Sequence, residues 1–195
     1  MSRLDLVVGP NGAGKTTFVR LALAERVPGS VFVNADEIAR RNWPDDPATH
    51  AYDAAALAAE TRRHLIAARR PIIAETVFSH PSKLALIEEA NTAGYYIALH
   101  VLMVPAQLAI ARVHARVAAG GHDVPIEKIT ARYQRLWPLV ADAVAMVDTA
   151  TFWANARRQD PQLVALFEDG FVVGDPSWPT WTPAALTTRW PNPRK

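Results

Sequence analysis

The chain contains no cysteine, which excludes disulfides and any thiolate metal site. Lysine is scarce, found only at Lys15, Lys83, Lys128 and Lys195, so nearly all the positive charge is arginine. Arginine suits planar, bidentate contacts to phosphate. The formal net charge is only +2, which makes no case for a nucleic-acid partner. No apolar run is long enough to span a bilayer. Asp5 and a glycine-rich loop interrupt the N-terminal apolar stretch, so no signal peptide is read there. A cytoplasmic location without a membrane partner is expected. Histidine ligand spacing is also missing. His50, His64, His80, His100, His114 and His122 are scattered. His100, inside an apolar strand, reads as a core residue, and only His122, in a loop, is placed where it could serve a site.

What is present starts at the N-terminus. Gly9-Pro10-Asn11-Gly12-Ala13-Gly14-Lys15-Thr16-Thr17 fits the phosphate-binding pattern G-x-x-x-x-G-K-[ST]. The apolar run Leu4-Asp5-Leu6-Val7-Val8 precedes it, and helically spaced residues from Thr17 to Arg26 follow. Strand, glycine loop and helix is the arrangement that gives the motif meaning. Its glycines let successive N–H groups turn inward as a nest for anionic oxygens, and the helix adds the positive end of its dipole. Lys15 is expected to reach the β- and γ-phosphates of ATP, and Thr16 to offer its hydroxyl to Mg²⁺.

Further along, Val31–Asn34 reads as a second strand, ending in Ala35-Asp36-Glu37, and a two-proline loop covers Asn42–Pro47. An alanine-rich helix is expected from Ala48 to Arg70, and Ile72–Ala74 is a third strand running into Glu75 and Thr76. A helix follows from about Ser79, closed by Gly94, and Tyr95–Val104 is a fourth strand. Two helices flank Gly120-Gly121-His122-Asp123-Val124-Pro125, the second running from Ile126 to about Val147 with Pro138 breaking or bending it. Ala150–Ala154 is a fifth strand. Gln162–Glu168 and Phe171–Val173 form a small hairpin across Asp169-Gly170. From Asp175 onward an irregular tail is expected to pack on the body through Trp178, Trp181 and Trp190.

With 195 residues, this pattern predicts a single α/β domain over 1–195. It is a P-loop NTPase of nucleotide-kinase type, with a five-stranded, mostly parallel sheet and helices on both faces. In such sheets ligands bind beyond the carboxyl ends of the strands. The glycine loop, Asp36 and Glu75 should then share one edge. Asp36 is the candidate to accept a proton from an attacking hydroxyl. Glu75, beside Thr76, could bind the acceptor or hold a water on Mg²⁺. Arg112 and Arg116 share a helix face, and Arg132 lies on the next helix. Together they suggest a lid over about 105–135, with Arg116 and Arg132 as the leading candidates to neutralise transition-state charge.

The sequence resembles the zeta toxins, a family of small P-loop kinases, and the zeta-like ATPases around them. The likeness rests on the glycine loop, on Asn34-Ala35-Asp36-Glu37-Ile38-Ala39, on Glu75-Thr76-Val77-Phe78-Ser79, and on Arg116 through Pro125 to Arg132-Tyr133. It implies a kinase that uses ATP and Mg²⁺ to phosphorylate a UDP-amino sugar of the UDP-N-acetylglucosamine kind. In that reading Asp36 is the base, Glu75 and Thr76 lie against the acceptor, and Arg116 and Arg132, or Arg112, contact the triphosphate. Family members often carry Asp-Asn-Ser after the fifth strand, where this chain has Ala154-Asn155-Ala156. The toxins also pair with an antitoxin, so the resemblance implies a candidate protein partner. A different acceptor (a nucleoside, a nucleic-acid end or an antibiotic) and a nucleotide-binding regulator without transfer activity stay open. A guanine-binding Asn-Lys-x-Asp signature and a Leu-Ser-Gly-Gly transporter signature are both missing.

Overall fold

A computed structural model describes residues 2–118, 124–157 and 161–193. Its central sheet runs in the order β2 (Val31–Asn34), β3 (Ile72–Thr76), β1 (Arg3–Val8), β4 (Tyr96–Met103), β5 (Thr149–Ala154), β6 (Gln162–Glu168), β7 (Phe171–Val173). The first five strands are parallel, β6 joins antiparallel to β5, and β7 joins antiparallel to β6. The expected five strands therefore become seven. The hairpin is not a separate appendage: β6 pairs with β5 and extends the same sheet. The edge of β5 carries open backbone groups, and the nearest chain able to pair with them is the hairpin that follows.

The helices divide between the two faces. On one face, α1 (Lys15–Phe18), its π-helical continuation Val19–Leu23 and α5 (Ala106–Ala118) cover Val7, Ile73 and Leu102. The other carries the larger core, in which α3 (Ala51–Ala67), α4 (Ser82–Thr92) and α6 (Ile126–Ala143) pack around Leu6, Leu99 and Phe152. An eight-residue helix, α2 (Ala35–Asn42), follows β2 directly. It occupies a stretch that the sequence reading leaves without an element. Pro138 sits exposed inside an unbroken α6, so it does not end that helix. The tail holds a one-turn helix, α7 (Ala184–Thr187), and is less irregular than expected. Trp178 is buried edge-on against Phe152, Trp190 lies against Phe167, and Trp181 packs on the same core. Trp178 also donates its indole N–H to the Trp190 carbonyl.

Connection direction places the crevice. From β1 the chain crosses past β3 to β2, whereas from β3 it crosses past β1 to β4. The two crossovers leave on opposite faces and open a cleft above the tips of β1 and β3.

One polar seam runs through this sheet. Asp5 is fully buried, accepts two hydrogen bonds from Arg3 (2.7 and 2.8 Å) and lies 2.9 Å from His100 Nε2. His100 Nδ1 lies 3.1 Å from the Thr151 hydroxyl. His100 is thus a satisfied core residue, as its place in an apolar strand suggested. Burial pushes the Asp5 carboxyl up, but the bonds to His100 and Arg3 outweigh it and hold the group below the usual carboxylate range. A carboxyl depressed in the folded state stabilises above its unfolded pKa, about 3.9, and that stability fades as pH falls through the folded value. Asp5→Ala is expected to lower stability by about 3 kcal/mol at neutral pH and to flatten the acid limb of the stability curve. Chemical denaturation across pH checks both.

Candidate functional site

The glycine loop closes β1 and opens α1. Gly9 has φ 150°, and a Cβ there would lie 2.3 Å from the Leu102 carbonyl oxygen of β4. Gly14, the residue before α1, has φ 87°, and its Cβ would lie 2.7 Å from Asn155 Nδ2. The curl of the loop against its neighbours therefore needs glycine at both points. Gly9→Ala is expected to cost roughly 2–4 kcal/mol through backbone strain and overpacking, read as a shifted denaturation midpoint.

Pro10 and Ala13 are buried, while Gly12 and Thr16 are half-exposed and Thr17 is exposed. Asn11 is half-buried, with its side-chain oxygen enclosed and without a hydrogen-bond partner among the described residues. Lys15 is 8% exposed and donates to the carbonyls of Gly9 and Pro10, each at 3.1 Å. Burial pushes its ammonium below the usual lysine range. Arg116 adds to that push, while Glu75 and Asp36 oppose it. Glu75, Asp36 and Arg116, from β3, α2 and α5, thus each lie within electrostatic reach of Lys15.

Glu75 lies inside the last turn of β3 and reaches across to α1. Its carboxylate accepts the Thr16 hydroxyl at 2.9 and 3.1 Å and the Asn34 side-chain amide at 2.7 Å. Asn34 is buried and also caps α2, accepting the Glu37 N–H at 3.1 Å. One asparagine therefore joins the carboxylate beside Thr16 to the helix that carries Asp36. Asp36 is exposed in the first turn of α2, where the helix dipole favours a carboxylate. Thr76 is half-buried at the end of β3, its hydroxyl 3.4 Å from the Phe78 N–H. Phe78 itself is buried with φ 64°, a conformation that non-glycine residues rarely adopt.

The arginines separate. Arg112 lies 3.4 Å from the Gly12 carbonyl, and Arg116 stands within electrostatic reach of Lys15. Arg132 is half-buried on α6 and makes no hydrogen bond or ion pair among the described residues. Its neighbour Tyr133 donates to the Val104 carbonyl at 3.0 Å and ties α6 to the tip of β4. The Gly120–Asp123 part of the expected lid, with His122, lies outside the described residues.

The sequence assigns no site role to Asn34 or Asn155, and the structure gives each a contact at the loop or its carboxylate. Asn155 follows β5, donates to the Ala13 carbonyl at 2.8 Å and takes part in the fit around Gly14. The sequence signals for it are its place just beyond a strand tip and its standing at the Asn of the family's Asp-Asn-Ser.

The arrangement suits a nucleoside triphosphate. Glycine at positions 9 and 14 lets the loop curl tightly against β4 and Asn155, with Lys15 folded back onto the loop carbonyls and Thr16 bonded to Glu75 at its end. Among the described residues no three His, Cys, Asp or Glu side chains gather as a metal cluster. A magnesium ion held by Thr16, water and phosphate needs none.

Residues 4–139 match the AAA domain family. The chain belongs to it. No curated protein matches this AAA-domain chain. Among solved structures, it is similar to a chain of the AvrRxo1-ORF1 and AvrRxo1-ORF2 complex with ATP, at TM-score 0.68 and 15% identity. That match covers 89% of this chain and 60% of the other, so this chain spans less than two thirds of its relative's length. It is also similar to a chain of the PezAT chromosomal toxin–antitoxin system of Streptococcus pneumoniae, at TM-score 0.60 and 14% identity, over 85% and 71% of the two chains. A gluconokinase from Sinorhizobium meliloti matches at TM-score 0.53 and 18% identity, over 80% and 83%. These identities carry the fold, and that fold is the α/β architecture of P-loop kinases. The likeness to zeta-type kinases read from the motifs is thus met in the architecture. No helix among the described residues is long and apolar enough to cross a membrane.

Proposed function

We propose that this protein is an ATP- and Mg²⁺-dependent small-molecule kinase, transferring the γ-phosphate to a hydroxyl of a UDP-amino sugar. The observation that supports the reading is geometric: Glu75 accepts the Thr16 hydroxyl of the glycine loop and the Asn34 amide, and Asn34 caps the helix that carries Asp36. Phosphoryl transfer needs a positioned triphosphate, a metal, cations for spreading charge and a group to orient the nucleophile. In this reading each need falls to a residue.

In this reading the loop from Gly9 to Thr17 holds the triphosphate, and Lys15 swings from the Gly9 and Pro10 carbonyls to the β- and γ-oxygens. Magnesium would sit at the Thr16 hydroxyl and neutralise developing negative charge. Glu75, already bonded to that hydroxyl, would hold a metal-bound water, and Thr76 would line the acceptor side. Asp36 accepts the proton of the attacking hydroxyl. Arg116 and Arg112 close from α5, and Arg132 joins them from α6. An antitoxin-like protein that blocks the nucleotide cleft fits the same reading, since the AvrRxo1 and PezAT structures are both of two-protein systems.

The test is a transfer screen with γ-labelled ATP over UDP-sugars, nucleosides and oligonucleotides. Label on a UDP-amino sugar supports the proposal. Label on a nucleoside or an oligonucleotide end moves the acceptor but keeps the kinase. ATP binding with no transfer to any class leaves a nucleotide-binding regulator.

A further inference from the structure

A second concave surface lies beside the nucleotide cleft. It is a cavity of about 520 Å³ along β2, between α2 and the π-helical turn Val19–Leu23. Three guanidiniums border it, from Arg20, Arg40 and Arg41, against a single carboxylate, Glu37. Arg20 pairs with Glu37 at 3.0 Å, whereas Arg40 and Arg41 have no ion pair among the described residues. The cavity therefore keeps an uncompensated charge of about two. Phe32 and Ile38 give it an apolar lining. Its size is that of a small-molecule pocket, and forked guanidiniums match phosphate oxygens.

We propose that this cavity is an anion site, separate from the triphosphate loop, that takes a phosphate ester of a small molecule. The phosphate lies among Arg20, Arg40 and Arg41, and the organic part rests on Phe32 and Ile38. Arg20 is shared with Glu37, so a bound phosphate competes for it and loosens one tether of the first turn of α2. The Glu37 N–H is bonded to Asn34, which also lines the cavity and donates to Glu75. Occupancy is thereby reported at the strand tips. The site does not depend on the kinase reading, and its test reads binding alone.

The experiment titrates inorganic phosphate and phenyl phosphate into the labelled chain at pH 6, following arginine Nε–H and asparagine side-chain amide signals by NMR. The expected result is saturable movement of Arg20, Arg40, Arg41 and Asn34 together, with phenyl phosphate binding more tightly than phosphate. Arg40→Gln with Arg41→Gln should weaken binding by at least about tenfold. Arg40→Lys with Arg41→Lys, which keeps the charge but loses the fork, should weaken it less. The amide spectrum of each variant reports its fold. Lys15→Met should leave the movement in place. Signals that stay still, that move equally in the double glutamine variant, or that stop moving in Lys15→Met would overturn the proposal. In the last case the phosphate is being held by the glycine loop.

Discussion

Replacing Asp36 by asparagine is expected to slow phosphate transfer by about 10³-fold while ATP binding changes by less than about threefold. The side chain is exposed and makes no hydrogen bond among the described residues, and asparagine has nearly the same shape. What disappears is the capacity to accept a proton. Losing a carboxylate from the first turn of α2 also forfeits a helix-dipole interaction of about 0.5 kcal/mol, too little to disturb folding. The measurement is a pair: steady-state transfer on the acceptor found in the screen, and nucleotide affinity by calorimetry. A variant that transfers at the normal rate removes Asp36 from the chemistry. A variant that loses nucleotide affinity to the same extent places Asp36 in binding instead.

Lys15→Met should weaken ATP binding by about 100-fold, equivalent to about 2.7 kcal/mol. Methionine keeps most of the volume but carries no charge to the β- and γ-oxygens. Nucleotide-induced stabilisation in a thermal shift experiment should then fall close to zero. The nucleotide-free protein should respond in a different way. Lys15 is held below the usual lysine range chiefly by burial, so in alkaline solution the unfolded chain binds more protons at this position than the folded one. Stability should rise with pH between the folded pKa and the ordinary lysine value of about 10.4. Lys15→Met removes that rise. Unfolding curves with and without ATP, at neutral and alkaline pH, separate the two effects. Unchanged ATP stabilisation in Lys15→Met would show that the loop does not hold the triphosphate through this lysine.

Much of the site was legible because its parts follow strands. A run of apolar residues followed at once by glycines, or by Asp36 or Glu75, marks a strand tip, and parallel topology gathers the tips on one edge. That is why the glycine loop, Asp36 and Glu75 could be placed together without coordinates. The hairpin was legible as a hairpin, since Asp169-Gly170 is a local signal. Its membership of the sheet was not, because pairing of β6 with β5 is a long-range choice. Helix α2 was hidden for a related reason. Its apolar residues Ala35, Ile38 and Ala39 are spaced as on one helix face, but they span little more than one turn, too short a run to announce a helix.

Chain order and residue type, taken alone, determined the strand–loop–helix cradle, the common edge of the cleft and the kinds of group that could work there. Which side chain touches which was decided only by tertiary packing. Asn34 bridging Glu75 to α2, Asn155 against the loop, and Arg112 beside Gly12 all involve partners far apart in sequence. The physical reason is that periodicity encodes burial, a property each residue has with respect to its own element. Polar contacts between elements depend on distances of a few ångströms, and these are set by how whole layers settle against each other.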